Sequence, residues 1–142
     1  MTAFPPFISA VDALQARHFV FHASGFMPLA IENLENAWEG FPVYSMTHYY
    51  TQNGDMMNDP DMTFAVLHDA RMIVPLTFQQ DGAWWTDSGT VYEEVFPEPG
   101  KYVPMLMDDL DSFLATWTVN IVAQGFRPDE AKASAPEGTS AE

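Results

Sequence analysis

Apolar and polar residues alternate through most of the middle of the chain and recur at helical spacing near its end, a pattern that predicts a sheet followed by a helix. The run HFVFHA from His18 turns at Ser24-Gly25 into FMPLAIENL, which reads as two short strands joined by a turn. Beyond Gly40 and Pro42, the segment Val43 to Thr51 is rich in β-branched and aromatic residues. In it Tyr44, Met46, His48 and Tyr50 share the more apolar face, which should point inward, while Ser45, Thr47, Tyr49 and Thr51 share the other. Residues 52–61, QNGDMMNDPD, concentrate turn chemistry, since Asn53-Gly54 tolerates positive φ and Pro60 restricts Asp59. They read as a loop between antiparallel strands. Met62 to His68 places Met62, Phe64 and Val66 on one face, and Met72 to Gln80 follows as another strand, with Pro75 marking an edge or a bulge. Asp81-Gly82 is a hairpin signal, followed by AWWTDSG and TVYEEVF.

Two helices flank this region. Pro5 and Pro6 open the chain, and Ser9 with Asp12 resembles a capping signal for a short helix reaching Arg17, with Phe7, Val11 and Leu14 as its buried stripe. After Pro104, the residues Leu106, Leu110, Phe113, Leu114, Trp117 and Ile121 recur at helical spacing, and Gly125-Phe126 suits a C-terminal cap with its hydrophobic contact. Asp108, Asp109 and Asp111 lie near the start of this helix, where acids favour the helix dipole. From residue 127 to 142 no large apolar residue occurs, so this stretch is expected to be a disordered acidic tail. The expected fold is one α+β domain over residues 1–126: an antiparallel sheet of about five strands, a short N-terminal helix, and a long C-terminal helix packed on one face.

Charge narrows the functions this fold could serve. Twenty acids against five Lys and Arg give a net charge of -15. Such a surface repels phosphate backbones and anionic lipid, so neither direct nucleic-acid binding nor membrane binding is expected. It favours solubility and long-range attraction to a basic protein surface. Absence of cysteine removes thiol chemistry, disulfides and Cys-based metal sites. The start of the chain lacks a basic secretory leader, and the uncharged stretch Ser112–Phe126 is shorter than the roughly 20 residues a bilayer needs, so a cytoplasmic location is expected.

Candidate chemistry concentrates around residues 48–61. Within this motif loop, which also includes Gln52 and Gly54, His48 with Asp55, Asp59 and Asp61, together with Asn53 and Asn58, forms an oxygen-rich group that could hold a divalent cation, although the spacing is not that of an EF-hand. The competing reading is a structural turn beside a hydrogen-bonded core histidine. His18 and His22 share a strand face without a third ligand at a known spacing. Glu93 and Glu94, adjacent on a strand, point to opposite faces and cannot share one acid-base site. No nucleophile elbow, phosphate-binding glycine loop or dinucleotide fingerprint occurs, and no cofactor is implied. On a strand, one of the adjacent Trp84 and Trp85 should leave the core, and exposed tryptophan is a favoured interface anchor; the competing reading is that both pack, one under the neighbouring segment. With them, Glu93, Glu94, Asp108, Asp109 and Asp111 are the candidate partner-binding residues.

Gly25-Phe26-Met27-Pro28-Leu29, the run HYYTQNGDMMNDPDM from His48 to Met62, and DLDSFLATWTVNIVAQGF from Asp109 to Phe126 together resemble a family of bacterial domains of unknown function carried on plasmids, integrative elements and phages. The resemblance spans residues 18–126 and implies an accessory role on mobile DNA, where anti-defence and maintenance factors are common. Combined with the acidic body, it leads to the expectation of a non-enzymatic protein that occupies the basic surface of a nucleic-acid-handling complex, such as a restriction or CRISPR effector. The alternative is a metal-dependent or hydrolytic enzyme using His48 and the loop carboxylates, and a third reading is a structural or assembly component.

Overall fold

The computed structural model describes residues 1–13, 18–52, 55–82, 89–127 and 132–134. Its elements in chain order are β1 (Thr2–Ala3), α1 (Pro6–Asp12), β2 (His18–Phe21), β3 (Leu29–Trp38), β4 (Phe41–Gln52), β5 (Asp55–Leu67), β6 (Met72–Asp81), β7 (Thr90–Glu94), α2 (Pro104–Ala123) and β8 (Lys132–Ser134). All eight strands join one antiparallel sheet in the order β1-β6-β5-β4-β3-β2-β8, and β7 shares the outer edge of β6 with β1. The fold is α+β as expected, with more strands than the five anticipated. β1 and β8 span two and three residues, too short for any alternation to reveal them. β8 pairs with β2 from within the segment expected to be a tail, whose residues 128–131 and 135–142 lie outside the described ones.

Side-chain alternation divides the sheet into two faces. On the inner face Phe19, Ile31, Met46 and Met62 stand in one cross-strand row and are fully buried, continued by Phe78. Tyr44 and Phe64 stack in the neighbouring row at 6.2 Å. Burying each such large apolar side chain contributes about 1.5–3 kcal/mol. α2 lies across this face, with Leu110, Leu114, Trp117 and Ile121 in the same core as Phe7 and Val11 of α1. Its C-terminus closes as expected: Gly125 at φ 102 donates to Val122 O, and Phe126, buried, donates to Ile121 O.

Three expectations require correction. α1 starts at Pro6, which occupies the first turn where its missing N–H costs nothing, so Ser9 lies inside the helix and Asp12 ends it; Leu14 lies outside the described residues. Asp12 is held there by the Tyr44 hydroxyl at 2.8 Å and by His68 Nε2 at 3.0 Å. Burial, then the hydrogen bond to that carboxylate, pushes the Tyr44 phenol well above its ordinary range.

Residues 52–61 are not a long loop. β4 and β5 stay paired out to Gln52 and Asp55, and only Asn53 and Gly54, outside the described residues, connect them. The turn residues Asp59 and Pro60 instead form a bulge: Thr47 faces Asp61 and Tyr49 faces Asn58, leaving both opposite His48. A bulge accommodates a proline that cannot donate to the ladder. Pro75 works in the same way, since Phe64 faces Pro75 and Thr63 faces Thr77 with Leu76 left over. Nor does Asp81-Gly82 form a tight hairpin, because Asp81 pairs with Thr90 and residues 82–89 make the connection.

Candidate functional site

His48 lies on the inner face and is buried. Its ring packs 5.6 Å from both Trp117 and Phe126, and Nδ1 lies 3.2 and 3.3 Å from the Met27 and Pro28 carbonyls. Carbonyls only accept, so Nδ1 carries the hydrogen and donates it. Pro28 O also accepts from the Tyr49 N–H, so one short segment before β3 is tied to β4 by ring and backbone together. Asp61, opposite Thr47, stands on the other face of the sheet, and the structure does not bring it to His48. The side chains of Gln52, Asp55, Asn58 and Asp59, and the whole of Asn53, Gly54, Trp84 and Trp85, lie outside the described residues. Among the described residues no group of three His, Asp or Glu side chains is placed to hold a metal.

The open face of the sheet is where polar chemistry gathers. Register places His18, Glu32, Ser45, Thr63, Thr77 and Glu94 in one row across five strand boundaries. A second row runs Ala30, Thr47, Asp61, Gln79 and Tyr92. Thr63 and Thr77 hydrogen-bond through their hydroxyls, and Asp81 Oδ1 takes the Gln79 amide and the Thr90 hydroxyl, each at 3.2 Å. Adjacent strands lie about 4.8 Å apart, so these carboxylates sit close enough for their fields to add before salt screens them. Partial burial raises the Asp61 carboxyl, and the charges of Asp81 and Glu32 raise it further. Desolvation, then Glu94 and Asp61, raises the Tyr92 phenol. The strands β3 to β7 contain eight Asp and Glu and no Lys or Arg, so nothing basic on those strands offsets this field.

A raised carboxyl opposes folding wherever it is ionised. Its contribution is most favourable below the ordinary carboxylate range and is lost as pH rises through the raised value. Asp61→Asn should therefore raise the melting temperature at pH 7, with the gain over the native chain shrinking as pH falls below that range. A pH series of thermal melts on both proteins checks this, and a destabilised variant at neutral pH would contradict it.

The other expected partner residues scatter. Glu93 faces Phe78 at the edge of the inner face, while Glu94 faces Thr77 on the open one. Asp108 and Asp109 are exposed on α2, beyond the core from the open face, and Asp111 binds the amino group of Met1. None of the three lies in the first turn of α2, which begins at Pro104, so the dipole argument does not reach them. Sequence reasoning did not find the cooperation of Glu32, Asp61, Asp81 and Glu94, because register, which a single strand does not encode, is what aligns them. It also missed an aromatic cleft around Trp38, Phe96 and Tyr102, whose parts are far apart in the chain.

With this geometry in view, comparison with known proteins adds one finding. A family model described as a domain of unknown function, DUF6908, matches residues 6–127, and the chain belongs to that family. No curated protein and no solved structure matches it. No helix among the described residues is long and apolar enough to cross a membrane.

Proposed function

We propose that the protein is a non-enzymatic acidic interaction factor of a mobile genetic element, and that it inhibits a nucleic-acid-handling complex by covering its basic surface. The observation that supports this reading most is the open sheet face, with Glu32, Asp61, Asp81 and Glu94 among hydroxyls and amides and no Lys or Arg in β3 to β7. A rigid sheet fixes the spacing of these charges, so a complementary partner meets them without an ordering cost. Hydroxyls between the carboxylates supply further hydrogen-bonding groups, as a phosphate-sugar surface does. A basic effector evolved to hold phosphates offers the matching surface.

The test uses the tagged chain to capture nucleic-acid-binding proteins from a bacterial host across a salt series, followed by competition with duplex DNA. A retained effector should elute as salt rises and be displaced by DNA. The triple variant Glu32→Gln, Asp61→Asn, Glu94→Gln should keep the fold, slow association several-fold at low salt and flatten its salt dependence. Unchanged association of that variant would refute the electrostatic reading.

A further inference from the structure

The open face changes character along its strands. Alternation places Phe41, Leu67 and Val74 on the same face as Glu32 and Asp61, toward the β3–β4 turn. There the chain leaving β7 continues along the outer edge of β6, between the stretches paired with β7 and β1: Val95 N–H donates to Leu76 O at 2.8 Å and Val103 N–H to Val95 O at 2.9 Å. Between this segment and the β3–β4 turn lies a cleft of two adjoining cavities, about 410 and 570 Å³, and Trp38, Glu39, Phe96 and Tyr102 line both. That is the size range of small-ligand sites. The Trp38 and Phe96 rings lie 4.9 Å apart and tilted by 47°, and Phe96 and Tyr102 5.9 Å apart at 37°. Tyr102 is 53% exposed, so the aromatic wall faces solvent.

Glu39 stands at the rim. It occupies the first central position of a two-residue turn, Trp38 pairing with Phe41, and has φ 52 beside Gly40 at φ 85. Such turns take Asn, Asp or Gly, because a longer side chain is strained in the left-handed region. A glutamate held there against local preference places a carboxylate at the mouth of an aromatic cleft, and strain of this kind gathers at binding sites. Glu98, on the opposite wall, is ion-paired with Lys101 at 3.4 Å, which leaves Glu39, among the described residues, as the carboxylate at this rim with no cation paired to it.

We propose that this cleft receives an arginine side chain of a basic partner protein. A guanidinium is planar and weakly hydrated, so it stacks on tilted aromatic faces, and its forked N–H donors match a carboxylate at the rim. A lysine ammonium, compact and strongly hydrated, loses more on entering the same slot. This inference rests on the reading of a basic partner, but on different residues from the acidic sheet face.

The experiment titrates the peptide acetyl-Gly-Arg-Gly-amide into the isotope-labelled full chain and follows the Trp38 indole N–H and the Tyr102 amide by NMR. Saturable shifts at both are expected, with binding about 10-fold weaker for the peptide carrying neutral citrulline, the near-isostere of arginine. Glu39→Gln should weaken the arginine peptide comparably. Tyr102→Ala, exposed and so expected to keep its melting temperature, should do the same. Absence of saturation, equal binding of the citrulline or lysine peptide, or shifts confined to Glu32 and Asp61 would overturn the proposal. If the arginine peptide fails while salt-dependent capture of an effector persists, the cleft is wrong and the sheet-face reading stands. Saturable cleft binding beside an indifferent Glu32, Asp61 and Glu94 triple variant supports the cleft and removes the other.

Discussion

Trp117→Ala should destabilise the protein by about 3–5 kcal/mol, the usual cost of truncating a buried aromatic of this size. Trp117 is the point where α2, the sheet and the C-terminal cap meet: its ring packs 5.4 Å from Phe113 and 5.6 Å from His48, and Phe126 covers the other side of that imidazole. A cavity there cannot collapse easily, because β4 is fixed by ladders on both sides and α2 by its Schellman cap. The expected fall in melting temperature is on the order of 10 °C. Trp117→Phe separates the two contributions of the indole. Its N–H is buried without a hydrogen-bond partner among the described residues, so the phenyl ring keeps much of the packing and removes an unsatisfied donor. The Phe variant should lose clearly less than the Ala variant. Equal losses would mean that the indole nitrogen is bonded after all, and an unchanged Ala variant would mean that α2 does not dock through this residue.

What the sequence made legible follows the strength of its periodicity. The stripe from Leu110 to Ile121 and the alternation of Tyr44, Met46 and His48 each repeat often enough to fix both an element and its buried face. Residues 52–61 misled for an identifiable reason: Asn-Gly and Asp-Pro are both turn formers, yet the chain reverses between Gln52 and Asp55, while Asp59-Pro60 only bulges a strand. Single-sequence reading weighs them alike, whereas the ladder from Val43–Ala65 to Gln52–Asp55 separates them. The two surfaces with functional promise were illegible for a different reason. Glu32, Asp61 and Glu94 come from three strands, and Trp38, Phe96 and Tyr102 from a turn and a long connection, so no window of the chain contains either group. The carboxylates are brought together by strand register, set by bulges at Pro60 and Pro75 that shift every later residue by one, and the aromatic rings by the connection after β7 folding back over Leu76.

His48→Gln decides between a histidine that builds the fold and one that performs chemistry. In the structure its Nδ1–H serves two backbone carbonyls ahead of β3 and its ring fills the space between Trp117 and Phe126. Glutamine can reach a carbonyl, but it replaces a flat ring with a flexible amide whose remaining polar groups enter an aromatic pocket. Leaving such groups unsatisfied costs about 1–3 kcal/mol, and the lost ring packing adds to it. The expected result is therefore a lower melting temperature with partner association unchanged once the variant is folded, since the imidazole is buried and does not reach the open sheet face. His48→Phe refines the reading: it keeps the ring and removes the donor, so it should recover the packing part of the loss and leave the Met27 carbonyl unserved, while Pro28 retains the Tyr49 N–H. A metal or hydrolytic centre predicts the reverse order, with both variants folded and inactive. Measuring thermal stability and partner association on the same preparations distinguishes them, and a fully stable His48→Gln protein that no longer binds would show that the imidazole serves function rather than folding.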